Sequence, residues 1–167
     1  MRTVLAIEKT NLPARYRSTM IVILAFLGSV LLYMLLAYVM ALSTQPSTLP
    51  ASQQATLVRV VYGIAFLLGI GVILGRRAVF NASRLMRLVE KGGLNRLVGE
   101  LASKTILFAA LSEAIALLGL ILSLLTKSYE AMWRLGAVGV LLLLYNMPRR
   151  SAWERTVENF SRFVYEE

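Results

Sequence analysis

Long apolar runs separated by short polar breaks set the pattern of this chain. Thr19–Leu42 is 24 residues without a charge. Three more runs each hold a single charge: Leu57–Gly75 with Arg59, Thr105–Thr126 with Glu113, and Ala131–Met147 with Arg134. At 1.5 Å per helical residue, runs of about 17–25 residues cross the ~30 Å hydrocarbon layer of a bilayer. The pattern predicts an all-α integral membrane protein with four transmembrane helices, at 19–42, 57–75, 105–126 and 131–147. The basic, then apolar beginning has the outline of a secretory signal. Its apolar run is too long for a signal core and ends in Ser-Thr-Gln-Pro, so it reads as a retained first span.

The breaks carry the rest of the plan. Ser43–Thr56 has two prolines and no charge, the composition of a loop on the non-cytoplasmic side. Residues 76–104 hold seven Lys/Arg against two Glu, the strongest positive bias in the chain, which places them in the cytoplasm with both termini. Helical periodicity persists through that segment. Ala78, Val79, Ala82, Leu85, Met86 and Val89 form one apolar stripe, and Leu94, Leu97, Val98 and Leu101 form another after Lys91-Gly92-Gly93. Spans two and three are therefore expected to continue as a cytoplasmic helical hairpin at 76–104, its stripes packed together beneath the Gly-Gly turn. An amphipathic pair lying on the lipid is the competing arrangement.

Two shorter features follow. Lys127–Glu130 reads as an outer turn. Residues 151–165 open with Ser151-Ala152-Trp153-Glu154, a capping-box pattern, and carry Trp153, Val157, Phe160 and Val164 on one stripe. This amphipathic helix either lies at the membrane interface or docks on a partner. Gly71-x-x-x-Gly75 in the second span is a small-residue pattern for close helix packing. With no 20–50-residue repeat evident, residues 1–167 read as a single membrane domain.

Composition narrows the function. Hydrophobic residues make up 57% of the 167, and the mean hydropathy of +0.67 lies far above that of ordinary globular domains. The chain has no His and no Cys, and its nine acids are all Glu. Metal sites built on His or Cys, disulfides, haem attachment and His- or Cys-dependent nucleophiles are thereby excluded. No Walker-type phosphate loop is present, and the chain is expected to be neither an enzyme nor a cofactor carrier. A net charge of +9 on a chain this apolar sets topology and holds anionic headgroups; nucleic acid is not the expected partner.

Glu113 is the one acid inside a span. It lies nine positions beyond Lys104, about 12–14 Å below one membrane face. An ionised carboxylate at such depth costs on the order of 2.5–3.5 kcal/mol on insertion scales. Arg59 and Arg134 stand near the opposite face, so the protonated form is favoured. Ala109, Ala110 and Ala116 surround it one turn away, small enough for another helix to approach closely. At matching depth the first span offers Ser29. Two roles fit: a proton carrier, or a neutral hydrogen-bonding group that joins packed helices.

The stretch Ala109-Ala110-Leu111-Ser112-Glu113-Ala114-Ile115-Ala116-Leu117-Leu118-Gly119-Leu120-Ile121 resembles the second helix of rotary ATP synthase c subunits, the proteolipids of F- and V-type ATPases. That helix carries a mid-membrane acid followed by Ala, with a Gly six positions on. The layout over residues 57–127 is similar too, a glycine-bearing helix, a polar turn, then the acid 20 residues past Gly93. The resemblance implies a c-like proteolipid subunit with Glu113 as its proton-binding residue, working within a larger membrane assembly. Two extra spans flank the hairpin. The alternative is a non-catalytic accessory or scaffold subunit that uses the hairpin fold without proton transport. A small transporter or channel is the third reading, with only one acid to line its path. Expected partners are the bilayer, other membrane subunits (copies of this chain among them) and a cytoplasmic protein held through 76–104. The expected location is a bacterial inner membrane.

Overall fold

The structure, a computed structural model, describes residues 11–42, 50–79 and 82–165. These form five helices: α1 (Leu12–Leu42), α2 (Ala51–Val79), α3 (Ala82–Thr126), α4 (Tyr129–Asn146) and α5 (Arg150–Tyr165). Three are long and apolar enough to cross a membrane, namely α1, α2 and the Gly93–Thr126 part of α3. The 18-residue α4 qualifies only when taken together with α5, from which it is bent by 40°. The chain is thus an all-helical protein with three or four candidate membrane helices.

Helix α3 is the hub. Half of its most apolar stretch is buried inside the protein, against 17% for α1 and for α2. Contacts along its length fix the direction of its neighbours. Arg15 lies against Gly99 and Tyr33 meets Glu113, so α1 runs parallel to α3. Gln54 bonds to Thr126 and Gly75 abuts Phe108, so α2 runs antiparallel. Gly119 sits on Ala131 and Leu135 while Gly139 sits on Ser112 and Ala116, so α4 runs antiparallel as well.

Two apolar seams flank the hub. On one side Val61, Ala65 and Val72 of α2 meet Phe108, Ile115 and Leu122 of α3 and Leu135 and Leu142 of α4. On the other, Ile23, Val30 and Ala37 of α1 meet Ala109 and Ala116 of α3 and Met132 and Leu143 of α4. The seven-residue spacing of Ile23/Val30/Ala37 and of Phe108/Ile115/Leu122 is that of a coiled-coil seam, which keeps one face inward over several turns. The outward side chains of the same helices, such as Leu32, Leu35, Phe66 and Leu67, are exposed. In water that would be unstable; in lipid it is the ordinary condition of a membrane helix.

A third cluster closes the basic end. Leu85 and Val89 pack against Leu94, Leu97, Val98 and Leu101, joined by Leu12 of α1 and by Trp153 and Val157 of α5. Of the first predicted stripe, Leu85 and Val89 pack on the second, whereas Met86 is exposed and Val79 packs instead beside α3 and α4. Gly93 makes the turn between the two stripes with φ 67° and ψ −175°, a conformation that side chains oppose and glycine permits. The amphipathic helix α5 docks on its own chain: Trp153 is 4% exposed, Val157 is fully buried, and Tyr16 meets the Trp153 ring edge-on at 6.0 Å between centroids.

Several local expectations are corrected. The helices outrun the predicted spans, with α1 starting at Leu12 and α2 at Ala51. Pro50 precedes α2 and its carbonyl accepts from Gln54 N at 3.0 Å; the polar residues that follow, Ala51–Thr56, are tolerated in a helix once started. The rest of the predicted loop, 43–49, lies outside the described residues. The junction in the first arm of the hairpin, residues 80–81, lies outside the described residues; α2 is described to Val79 and α3 from Ala82. The capping box is not formed, because Glu154 holds Arg150 at 2.7 Å instead of turning back to Ser151. A cap is made at Ser128, whose hydroxyl accepts from Glu130 N at 3.4 Å, so α4 starts at Tyr129.

Candidate functional site around Glu113

Glu113 projects from α3 between that helix and α1, partly buried, and its Oε1 accepts the Tyr33 hydroxyl at 3.0 Å. The small neighbours do what their size suggests. Ala109 and Ala116 are fully buried against α1 and α4, bringing the backbones close enough for a tyrosine to reach the carboxyl. Ser29, the depth-matched candidate, is occupied within its own helix, where it donates to Ala25 O at 3.1 Å. The discrepancy has a geometric cause. Helical side chains tilt toward the N-terminus of their helix, and tyrosine is long, so Tyr33 delivers its hydroxyl about one turn below its own Cα.

No cation approaches the acid. Ion pairs among the described residues include Lys104–Glu100, Arg134–Glu130 and Arg150–Glu154, each within one helical turn and none reaching Glu113. Arg59 and Arg134 line a groove at the far end with Gln54, Tyr62 and Thr126. Their expected distance from Glu113 is what the structure has. Groups of three or more acids that could hold a metal ion are absent among the described residues.

A second polar cluster, which the sequence did not single out, starts one residue away on an adjacent face of α3. Ser112 Oγ donates to Phe108 O at 2.8 Å and accepts from Asn146 Nδ2 of α4 at 3.3 Å. Asn146 Nδ2 also reaches Leu142 O at 2.9 Å. Arg76 of α2 closes the network: its Nη1 donates to Asn146 Oδ1 at 3.3 Å and to Tyr145 O, and the guanidinium lies 4.5 Å from the Tyr145 ring centroid. Successive residues of one helix point about 100° apart. Ser112 therefore ties the hub to α4 and α2 while Glu113 ties it to α1. An amide at the end of an otherwise apolar span was the available signal for Asn146.

Of the expected glycine pair, Gly75 is close-packed, since a Cβ there would lie 3.0 Å from Phe108 Cε1, and Gly71 is not. A Cβ at Gly71 would meet nothing within 4 Å. At Gly119 it would lie 2.8 Å from Leu135 Cβ, and at Gly139 3.0 Å from both Ala116 Cβ and Ser112 O. The tight interface is α3–α4, whereas α2 and α3 would form the main pair of a c-like hairpin. No family model, curated protein or solved structure matches this chain. The likeness to rotary c subunits rests on the sequence around Glu113 and on the layout of residues 57–127.

Proposed function

We propose that this chain is a non-catalytic helical subunit of a larger membrane assembly, in which the carboxyl of Glu113 joins α1 to the hub. The observation that supports this reading is the Tyr33–Glu113 hydrogen bond. The half-buried acid is engaged by its own first helix, where a rotary proton carrier would present it to a neighbouring subunit. The basic end, with its exposed Arg87, Asn95 and Arg96, is the surface offered to a cytoplasmic partner. Cytoplasmic termini are the orientation that the same positive bias favours, and a bacterial inner membrane is the expected setting. The deciding experiment is Glu113→Gln in cells. Glutamine still accepts from Tyr33, so a subunit that only holds helices together keeps its function and its co-purifying partners. Loss of function with normal assembly would sink the proposal.

The c-like proteolipid remains the second reading, favoured by one observation: among the described residues Tyr33 is the hydrogen-bond partner of Glu113 and no ion pair reaches it, which leaves a proton site. On that reading Glu113→Gln abolishes proton movement in reconstituted vesicles while assembly is unchanged.

A further inference from the structure

The basic end holds a cavity of about 530 Å³ where α2, α3, α4 and α5 meet. Arg76 and Arg149 both line it, and no carboxylate does. Arg76 is fixed at the wall by Asn146 and by the Tyr145 carbonyl and ring. Arg149 is exposed and belongs to none of the ion pairs among the described residues. The adjacent Arg150 is already engaged by Glu154. The two threonine hydroxyls of the lining are occupied as donors: Thr105 bonds to Leu101 O and Thr156 to Ala152 O. Any charge that recognises a ligand here therefore comes from the two guanidiniums, and two like charges sharing one cavity attract an anion.

The remaining walls decide which anion. Leu101, Leu144, Met147, Pro148 and Trp153 make them apolar. The cavity also stands where the surface changes character. Leu141 is 66% exposed and Leu144 51%, one turn before Arg149; Leu74 is 58% exposed just before Arg76 and Arg77. A change from exposed leucine to exposed arginine marks the headgroup zone of a bilayer. A free phosphate uses only the arginines, whereas a phospholipid also uses the leucines.

From this geometry we infer that the cavity binds the headgroup phosphate of an anionic phospholipid between Arg76 and Arg149, with an acyl chain lying along Leu141 and Leu144. The site is independent of Glu113 and of the role proposed for it.

The test uses the full chain in a neutral detergent, with phosphatidylglycerol or phosphatidylcholine added and bound lipid counted by native mass spectrometry. Phosphatidylglycerol is expected to bind about tenfold more tightly than phosphatidylcholine, and Arg149→Gln to remove about that factor. Arg155→Gln, an equal charge change at an exposed position outside the cavity, is expected to leave binding unchanged. Equal binding of the two lipids, or parent-like binding by Arg149→Gln, overturns the proposal. Millimolar inorganic phosphate is the third arm. If it raises Tm as much as phosphatidylglycerol does, in an Arg149-dependent way, the site takes a soluble anion and the lipid assignment fails. Should Arg149→Gln not fold, Arg149→Lys is read in its place. It keeps the charge but not the planar fork, so several-fold weaker binding is expected, and undiminished binding overturns the proposal.

Discussion

The Tyr33 hydroxyl meets the Glu113 carboxyl at 3.0 Å although the two residues lie 80 positions apart, and this bond joins α1 to α3 inside the apolar zone. An interhelical hydrogen bond in a membrane is worth about 0.6–1.7 kcal/mol, because the dissociated helices find other partners. Tyr33→Phe should therefore lower unfolding stability in bicelles by about that amount and leave the fold intact. In a double-mutant cycle with Glu113→Leu the coupling should be of the same size. A coupling near zero would mean that the pair carries no energy.

The α3–α4 interface depends on two glycines. A methyl group at Gly119 would stand 2.8 Å from Leu135 Cβ, and neither backbone can yield without parting the helices. Overpacking of this kind costs about 1–3 kcal/mol. Gly119→Ala and Gly139→Ala are expected to fall in that range. Gly63→Ala and Gly71→Ala, with nothing within 4 Å, should be neutral or slightly stabilising. Unfolding in mixed micelles separates the two pairs; a uniform response would show that the interface is not close-packed in the membrane.

How far the sequence could foresee this arrangement differs from residue to residue. The runs ending at Leu42, Gly75 and Thr126 announce membrane helices because lipid demands continuous apolar sequence. The stripes Leu85/Val89 and Leu97/Leu101 foretell packing because period alone puts them on one face. Which helix faces which is a different matter. Asn146 and Ser112 are joined only because α4 folds back antiparallel on α3, and a span that is apolar all round gives no sign of its buried side. The same uniformity hid the role of Gly119 and Gly139, and it made Ser29 look as suitable a partner for Glu113 as Tyr33. Helix α5 shows the converse. Its stripe was legible, but whether lipid, a partner or its own chain would cover Trp153 was not.

Trp153 anchors α5 to the basic end with Tyr16, Leu97 and Leu101, so the helix should detach when that side chain is cut back. Trp→Ala in a core costs about 3–5 kcal/mol. Trp153→Ala is expected to expose α5 to limited proteolysis under conditions where the parent resists, whereas Arg155→Ala on the exposed face should not. Equal cleavage of parent and variant would indicate that α5 is not docked.

Topology admits a direct check. Ser52 at the start of α2 and Ser103 near the basic end of α3 are both exposed, and the antiparallel run of α2 and α3 puts them at opposite ends of the protein. Since the chain has no cysteine, Ser52→Cys and Ser103→Cys give clean single labels. An impermeant maleimide applied to intact cells should reach Ser52→Cys and not Ser103→Cys, if the seven basic residues of 76–104 hold that end in the cytoplasm. Labelling of both positions from outside would refute a membrane-crossing α3.

The reactivity of Glu113 bears most directly on the proposed function. An apolar carbodiimide reaches carboxyls through the lipid and activates the neutral acid; a water-soluble one reaches those open to water. In this structure Glu113 is half-buried. Its Oε1 is held by Tyr33, and Ile23, Val30 and Ala37 of α1 pack on Ala109 and Ala116 beside it. The expected outcome is slow labelling by both reagents in the native membrane, rising when detergent loosens α1 from the hub. Tyr33→Phe removes the donor while keeping the ring, so it should speed labelling of Glu113 by the apolar reagent before any detergent is added. Tyr38→Phe, at the far end beside Tyr129, should not. Rapid apolar labelling of the unaltered protein would mean that the carboxyl is open to the bilayer as in a rotary proteolipid. The subunit reading would then give way to proton transport.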